Sequence, residues 1–243
     1  MSRIILTYVK HGLLTATMSR VTIVEGVVET ARGTRRTPAD KYDERRTQLA
    51  ISALATLGEL GYAKTSLREI AQNSEFSHGV VHYYFADKFE LITHCVRYYK
   101  AQCVTRYDSL VAESTTADEL LARFGDKLVE TLTTEAPMHR LWYDLRAQAL
   151  FDEQFRPDVL MIDATLQDMI GRVVTRYAEL AGRSLAVDVA TTYALLDGVF
   201  EKALLGHLTG DSRASDDLRA RVSLVLPKLL ASLPGLVRTP GRT

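Results

Sequence analysis

The chain has 243 residues, 47% of them apolar and 25% charged, a balance that excludes disordered, collagen-like and membrane-embedded classes. Thirty basic residues offset thirty acidic ones, but unevenly. Residues 1–107 carry 15 basic against 10 acidic side chains, a net of +5, and residues 108–243 carry 15 against 20, a net of −5; such asymmetry hints at a polyanionic partner for the first half. Cys95 and Cys103 are the only cysteines. They supply neither a disulfide framework nor a four-ligand zinc site, and a reducing cytoplasmic setting is expected. No stretch reaches the roughly 18 to 20 apolar residues a spanning helix needs, and Lys10 and His11 interrupt the apolar start too early for a signal peptide. Neither membrane insertion nor export is expected.

Residues 1–39 read as an extension, rich in Thr, Val and Ile and closing on the basic run Arg32-Gly33-Thr34-Arg35-Arg36. Three readings fit it: a flexible tail, a stretch preceding a second start at Met18, or a basic arm that reaches DNA phosphates.

From Asp40 the apolar period becomes helical. Leu49, Ala50, Ala53, Leu54, Leu57 and Leu60 form one stripe, and Gly61 is placed to end that helix. Ser66-Leu67-Arg68-Glu69 fits a capping box, in which the serine oxygen accepts from a backbone amide and the glutamate reaches back. It opens a short second helix burying Leu67, Ile70 and Ala71. Ser77 caps a third short helix running to about Tyr84, and Asp87 caps a much longer fourth through Tyr99 or beyond. Later helices are expected over residues 117–132, 137–150, 157–180, 186–208 and 216–233, with Pro227 kinking or splitting the last. No strand pattern or internal repeat occurs, so the class is all-α.

Helices as short as the second and third cannot stand alone and must be held by packing. Two of them joined by a tight turn make a helix-turn-helix. Val81 and Phe85, four apart, face inward with Phe76, leaving His78, Gly79, His82 and Tyr83 on the opposite face. That face suits a reading helix. Gly79 has no side chain to hold the backbone away from a groove, while the imidazoles and the phenol can meet phosphates or base edges. Lys88, at the start of the long helix, is placed to hold a phosphate, and Ser66 and Arg68 are placed to hold the flanking backbone.

The run Thr65-Ser66-Leu67-Arg68-Glu69-Ile70-Ala71, then Phe76-Ser77-His78-Gly79-Val80-Val81-His82-Tyr83-Tyr84-Phe85, then Asp87-Lys88 and Leu91, resembles the DNA-binding region of the tetracycline-repressor (TetR) family over residues 46–98. The resemblance implies a three-helix DNA-binding domain, here residues 40–87, and a helical ligand-binding and dimerisation domain, residues 88–234, followed by a tail at 235–243. It implies a homodimer on a palindromic double-stranded operator, with a small-molecule effector that tilts the fourth helix to release it. Carried over position by position, the DNA contacts are Ser66, Arg68, Ser77, His78, Gly79, Val80, His82, Tyr83 and Lys88. Three positions depart from the family's habit: Glu75 stands in a turn that commonly takes glycine, Val80 where a hydroxyl residue is frequent, and His82 where tyrosine is. They bear on individual contacts and on the operator, not on the fold.

Phe124, Met138, Trp142, Tyr143 and Arg146 are candidates to line an effector pocket. Such a pocket would be mostly apolar with one cation, suiting an amphipathic or anionic molecule. Val187, Thr191, Ala194, Leu195, Gly198, Val199 and Lys202 fall along one side of the penultimate helix, and their small members would allow a dimer seam; intramolecular core is the other reading of that side. His78 and His82 lack a third ligand at helical spacing, so no metal site is expected, and no cofactor. Nucleophile-elbow, zinc-protease, dinucleotide and P-loop signatures are all missing, so no enzyme is expected. The rival is a helical small-molecule-binding or enzymatic protein whose helix-turn-helix serves packing; burial of His82, Tyr83 and Lys88 would favour it.

Overall fold

The computed structural model describes residues 37–232; residues 1–36 of the expected extension and the tail at 235–243 lie outside the described residues. Ten α-helices follow in order: α1 (Pro38–Lys64), α2 (Leu67–Gln72), α3 (His78–Tyr84), α4 (Lys88–Cys103), α5 (Asp108–Glu113), α6 (Ala117–Thr134), α7 (Ala136–Ala149), α8 (Arg156–Leu180), α9 (Val189–Leu208) and α10 (Ala214–Lys228), with a 3-10 turn at Glu153–Phe155. Among the described residues the only extended pairing is an isolated antiparallel bridge between Leu185 and Leu230. The all-α expectation holds. The chain forms two compact units, one of residues 37–100 with 140–155, the other of residues 101–139 with 156–232.

In the first unit α1 opens at Pro38, two residues before the expected start. Thr37 caps it, accepting from the Asp40 amide, while the Asp40 carboxylate accepts from the Thr37 amide. Leu49, Ala50, Ala53, Leu54 and Leu57 are buried as the stripe requires, Leu60 only in part. Gly61 breaks the helical path at φ 75°, ψ 174°, yet one more turn continues to Lys64. The break is held by α7: Asp144 accepts from the Tyr62 amide at 2.7 Å, and Arg140 donates to the carbonyls of Gly58 and Glu59. Leu67, Ile70, Phe76, Val81, Phe85, Leu91, Ile92 and Val96 complete the apolar interior. Cys95 is buried there and donates to the Ala50 carbonyl at 3.4 Å, and burial pushes its thiol pKa far up. Such a thiol is inert.

The second unit is built on amphipathic spacing. α6 buries Leu120, Phe124, Leu128 and Leu132, one every four residues, and α8, α9 and α10 add Ile162, Leu166, Val173, Tyr193, Leu196, Phe200, Leu218 and Val222. The sequence gives no sign of the six-residue α5, because it buries a single residue, Leu110, and so shows no apolar repeat; Asp108 at its start accepts from Arg172 at 2.9 Å. The penultimate helix begins at Val189 rather than at 186, because Asp188 caps it by accepting from the Thr191 amide at 2.7 Å. Val187 therefore precedes the helix. The last helix ends at Lys228, with Pro227 in its final turn. It stops five residues short of the expected 233, since the proline lacks the N–H that would continue the helical ladder.

Candidate nucleic-acid interface

The helix-turn-helix comprises α2, the turn 73–77 and α3. Ser66 accepts from the Glu69 amide at 3.2 Å and the Glu69 carboxylate accepts from the Ser66 amide at 2.7 Å, the reciprocal box the sequence indicates. Ser77 accepts from the Val80 amide at 3.4 Å and so starts α3. In the turn, Ser74 closes on the Phe76 amide at 3.2 Å and Glu75 is exposed. Val81 and Phe85 are fully buried and Phe76 nearly so, which fixes the rotation of α3 about its own axis.

With that face committed inward, the opposite one is open. His78, Gly79 and His82 are exposed, and Tyr83 is 72% exposed. A Cβ placed on Gly79 would meet nothing within 4 Å. Packing therefore does not demand glycine at this position. The rings of His78 and His82 lie edge to face, 4.4 Å apart. Ser66, Arg68 and Ser77 are exposed and Val80 is half-buried, so the two serines serve as helix caps while still reaching solvent.

Lys88 differs from its neighbours. It is half-buried, with its ammonium 4.0 Å from the Tyr62 ring centre, a cation–π contact. Burial lowers its pKa, partly offset by the carboxylates of Asp144 and Glu69. The sequence placed a free cation at this position, whereas the side chain is stacked on an aromatic ring. The helix start beside it is well built: Asp87 accepts from the Glu90 amide and Glu90 accepts from the Ala86 amide, both at 2.8 Å.

Residues of α1 that sequence reasoning passed over also support α3. The Tyr42 ring lies 4.9 Å from Tyr84 and 6.3 Å from Tyr83. Arg45 stacks on Phe76 and Arg46 on Phe85, at 4.5 and 4.6 Å, and Arg46 is bound to Glu90 at 2.6 Å. A signal was available, since Tyr42, Arg46, Leu49 and Ala53 follow the i, i+4, i+7, i+11 spacing of the buried stripe.

Of the effector candidates, Trp142, Tyr143 and Arg146 are brought together in the first unit, with the Arg146 guanidinium 5.8 Å from the Trp142 ring centre and 5.7 Å from that of Tyr143. Lys100, which is buried, lies 5.1 Å from the same indole. Trp142 is 1% exposed and its indole N–H has no hydrogen-bond partner. Phe124 and Met138 belong to the second unit; Phe124 is buried 5.1 Å from Tyr107 and Met138 is half-buried. Of the seam candidates, Val187, Thr191, Ala194, Leu195, Gly198 and Lys202 are exposed and Val199 is partly so. Among the described residues no group of three or more metal-ligating side chains is found, and no helix is long and apolar enough to cross a membrane.

Residues 52–95 match the profile of the family described as bacterial regulatory proteins, tetR family. Over 174 residues the chain is 24% identical to the HTH-type transcriptional regulator BetI of Burkholderia lata, covering 70% of this chain and 88% of that protein. Among solved structures, a TetR transcription regulator from Haloarcula marismortui superposes with a TM-score of 0.63 at 20% identity, covering 78% of this chain and all of the other. A transcriptional regulator from Saccharomonospora viridis in complex with choline gives a TM-score of 0.65 at 16% identity, covering 79% of this chain and all of its own. At such identities the structural likeness speaks for the fold. The family match falls on the very helices whose outward face is open, α2 and α3, together with the helices that hold them. Residues 52–95 thus carry the DNA-binding region of the tetR family of bacterial regulatory proteins, within a fold shared with regulators of that family.

Proposed function

We propose that the protein is a homodimeric, cytoplasmic repressor that binds a roughly palindromic operator and is released by a small-molecule effector. The observation that carries the reading is the division of α3: Val81 and Phe85 are committed to the core, while His78, Gly79, His82 and Tyr83 stand exposed along the other side. A packing motif would bury its aromatic and imidazole groups. In this reading His78, Gly79, Val80, His82 and Tyr83 enter a major groove, and Ser66, Arg68 and Ser77 touch the flanking phosphates. Lys88 sits at the margin of that surface and acts on the backbone only if it leaves Tyr62. The dimer sets two reading helices about one helical turn of DNA apart or a multiple, ~34–36 Å.

The seam we assign to α9, where Thr191, Ala194, Leu195, Gly198, Val199 and Lys202 share an open side and Leu205 and Leu208 extend it as exposed apolar residues. Val187 stands at its entrance. For the effector, the choline complex of the Saccharomonospora viridis protein supports a small-molecule site in this fold. The chemistry of this chain favours a different occupant. Trp142 is already attended by two cations of its own, Lys100 and Arg146, so an anionic or amphipathic molecule suits it better than a quaternary ammonium.

Selection of duplexes from a random pool by the purified protein, read by sequencing at fixed moderate salt, tests the reading. An enriched two-fold-symmetric site is expected. A folded dimer that enriches no site would overturn it.

A further inference from the structure

His78 and His82 are the two imidazoles on the open face of α3. Both are exposed, their rings stand 4.4 Å apart, and among the described residues neither has a hydrogen-bond or ion-pair partner. Several charged groups on the neighbouring elements are engaged elsewhere. On α1, Arg46 is bound to Glu90, and Arg45 stacks on Phe76 and donates to Gln48. On α2, Glu69 is held in the capping box; on α4, Lys88 stacks on Tyr62. Arg68 and Glu75 are exposed and carry opposite charges, and Tyr42 contributes only its ring to Tyr83 and Tyr84. Among the described residues no carboxylate is paired to either imidazole.

A neutral imidazole offers one N–H; the imidazolium offers two and a positive charge, and its hydrogen bonds to phosphate are charge-assisted. A duplex laid along α3 brings a dense line of anions to this pair. We propose that His78 and His82 form a proton-gated anion contact, so that binding of duplex DNA takes up protons from solvent and tightens as the pH falls. The inference rests on the assignment of α3 as the reading helix and adds regulation to that site. Linkage sets the size of the effect: uptake of one proton changes the binding constant about tenfold per pH unit. His94, the remaining described imidazole of this unit, acts in the opposite sense, because it is partly buried beside Arg46 and Arg97 and its protonation opposes the folded state.

The test is a fluorescence-anisotropy titration of the full chain between pH 7.5 and 6.0 at constant ionic strength. Two duplexes are used, one of random sequence and one carrying the selected operator. Wild type is expected to bind about tenfold more tightly at pH 6.0 than at pH 7.5, and the double variant His78→Gln, His82→Gln, which keeps N–H donors without the charge, to change by less than about twofold. Each single variant should lose part of the slope. Both positions are exposed, and circular dichroism at each pH checks that the variants are folded. An equal slope in wild type and double variant, or a flat wild-type profile with measurable binding, would overturn the proton gate and leave the regulator reading standing. Failure of folded wild type to bind either duplex at any pH would overturn both.

Discussion

Gly79 separates two demands that usually coincide. A glycine within a helix weakens it by up to about 1 kcal/mol relative to alanine, and a Cβ at this position meets nothing within 4 Å, so folding alone would favour Ala. Gly79→Ala should leave the melting temperature unchanged or slightly raised while lowering duplex affinity several-fold, because the added methyl group stands between the helix backbone and the groove. Thermal melts and anisotropy on the same preparation check it. Unchanged affinity in the stabilised variant would show that the backbone never approaches DNA. Residues of this kind were legible in the sequence because the inward partners, Val81 and Phe85, are unambiguous and fix the opposite face. Lys88 was not: its position at the head of α4 is written in the sequence, but its capture by Tyr62, 26 positions earlier, depends on the kink in α1.

At the scale of elements, that kink is the feature with the greatest consequence. Gly61 sits at φ 75°, ψ 174°, a region essentially reserved for glycine, and a Cβ there would come within 3.1 Å of the Asp144 carboxylate. Gly61→Ala is therefore expected to destabilise the protein by ~1–3 kcal/mol, and Asp144→Ala by a similar ~1–3 kcal/mol through the orphaned Tyr62 amide. Since both act on one junction, their effects in the double variant should fall short of the sum; denaturant unfolding of the four proteins decides, and strict additivity would mean that α7 does not hold the kink. The sequence placed glycine at a helix end correctly. It did not reveal that α7, more than 70 positions away, supplies the hydrogen bonds that let the chain continue another turn, because such a contact leaves no periodic trace.

The joint between α1, α3 and α4 carries its own pH dependence. Burial, with Arg46 and then Arg97 nearby, holds the His94 pKa below the ordinary imidazole value, against the weaker pull of Glu90 and Asp43. The folded state thus prefers the neutral ring, and the unfolded chain binds the extra proton. Stability from this residue is complete well above the unfolded value of about 6.5, declines as the pH falls through it, and stops declining once the folded value is passed. Melting temperature should drop from pH 7 towards pH 5, and His94→Gln should reduce that drop. A variant with the full acid sensitivity of wild type would assign it to other groups.

For the whole molecule, the proposed dimer rests on α9. Its inner side buries Tyr193, Leu196, Phe200 and Leu204, yet Leu195 is 46% exposed and Leu205 and Leu208 are exposed with it. The helical spacing made the outer stripe visible in the sequence; what spacing cannot distinguish is a stripe that meets its own chain from one that meets a second copy. Burial shows which stripe this chain covers and which it leaves open. Gly198 lies in the exposed stripe with nothing within 4 Å of its would-be Cβ, so a bulky residue there has no neighbour to strike within the chain. Gly198→Phe should leave the helical content of the folded chain intact and, by holding two α9 helices apart, shift the mass measured by light scattering from dimer to monomer. Operator binding should fall with it, since a single reading helix keeps only half of a palindromic site. If the variant stays dimeric at micromolar concentration, the seam lies elsewhere, and Leu224, the exposed apolar residue of α10, is the next position to change.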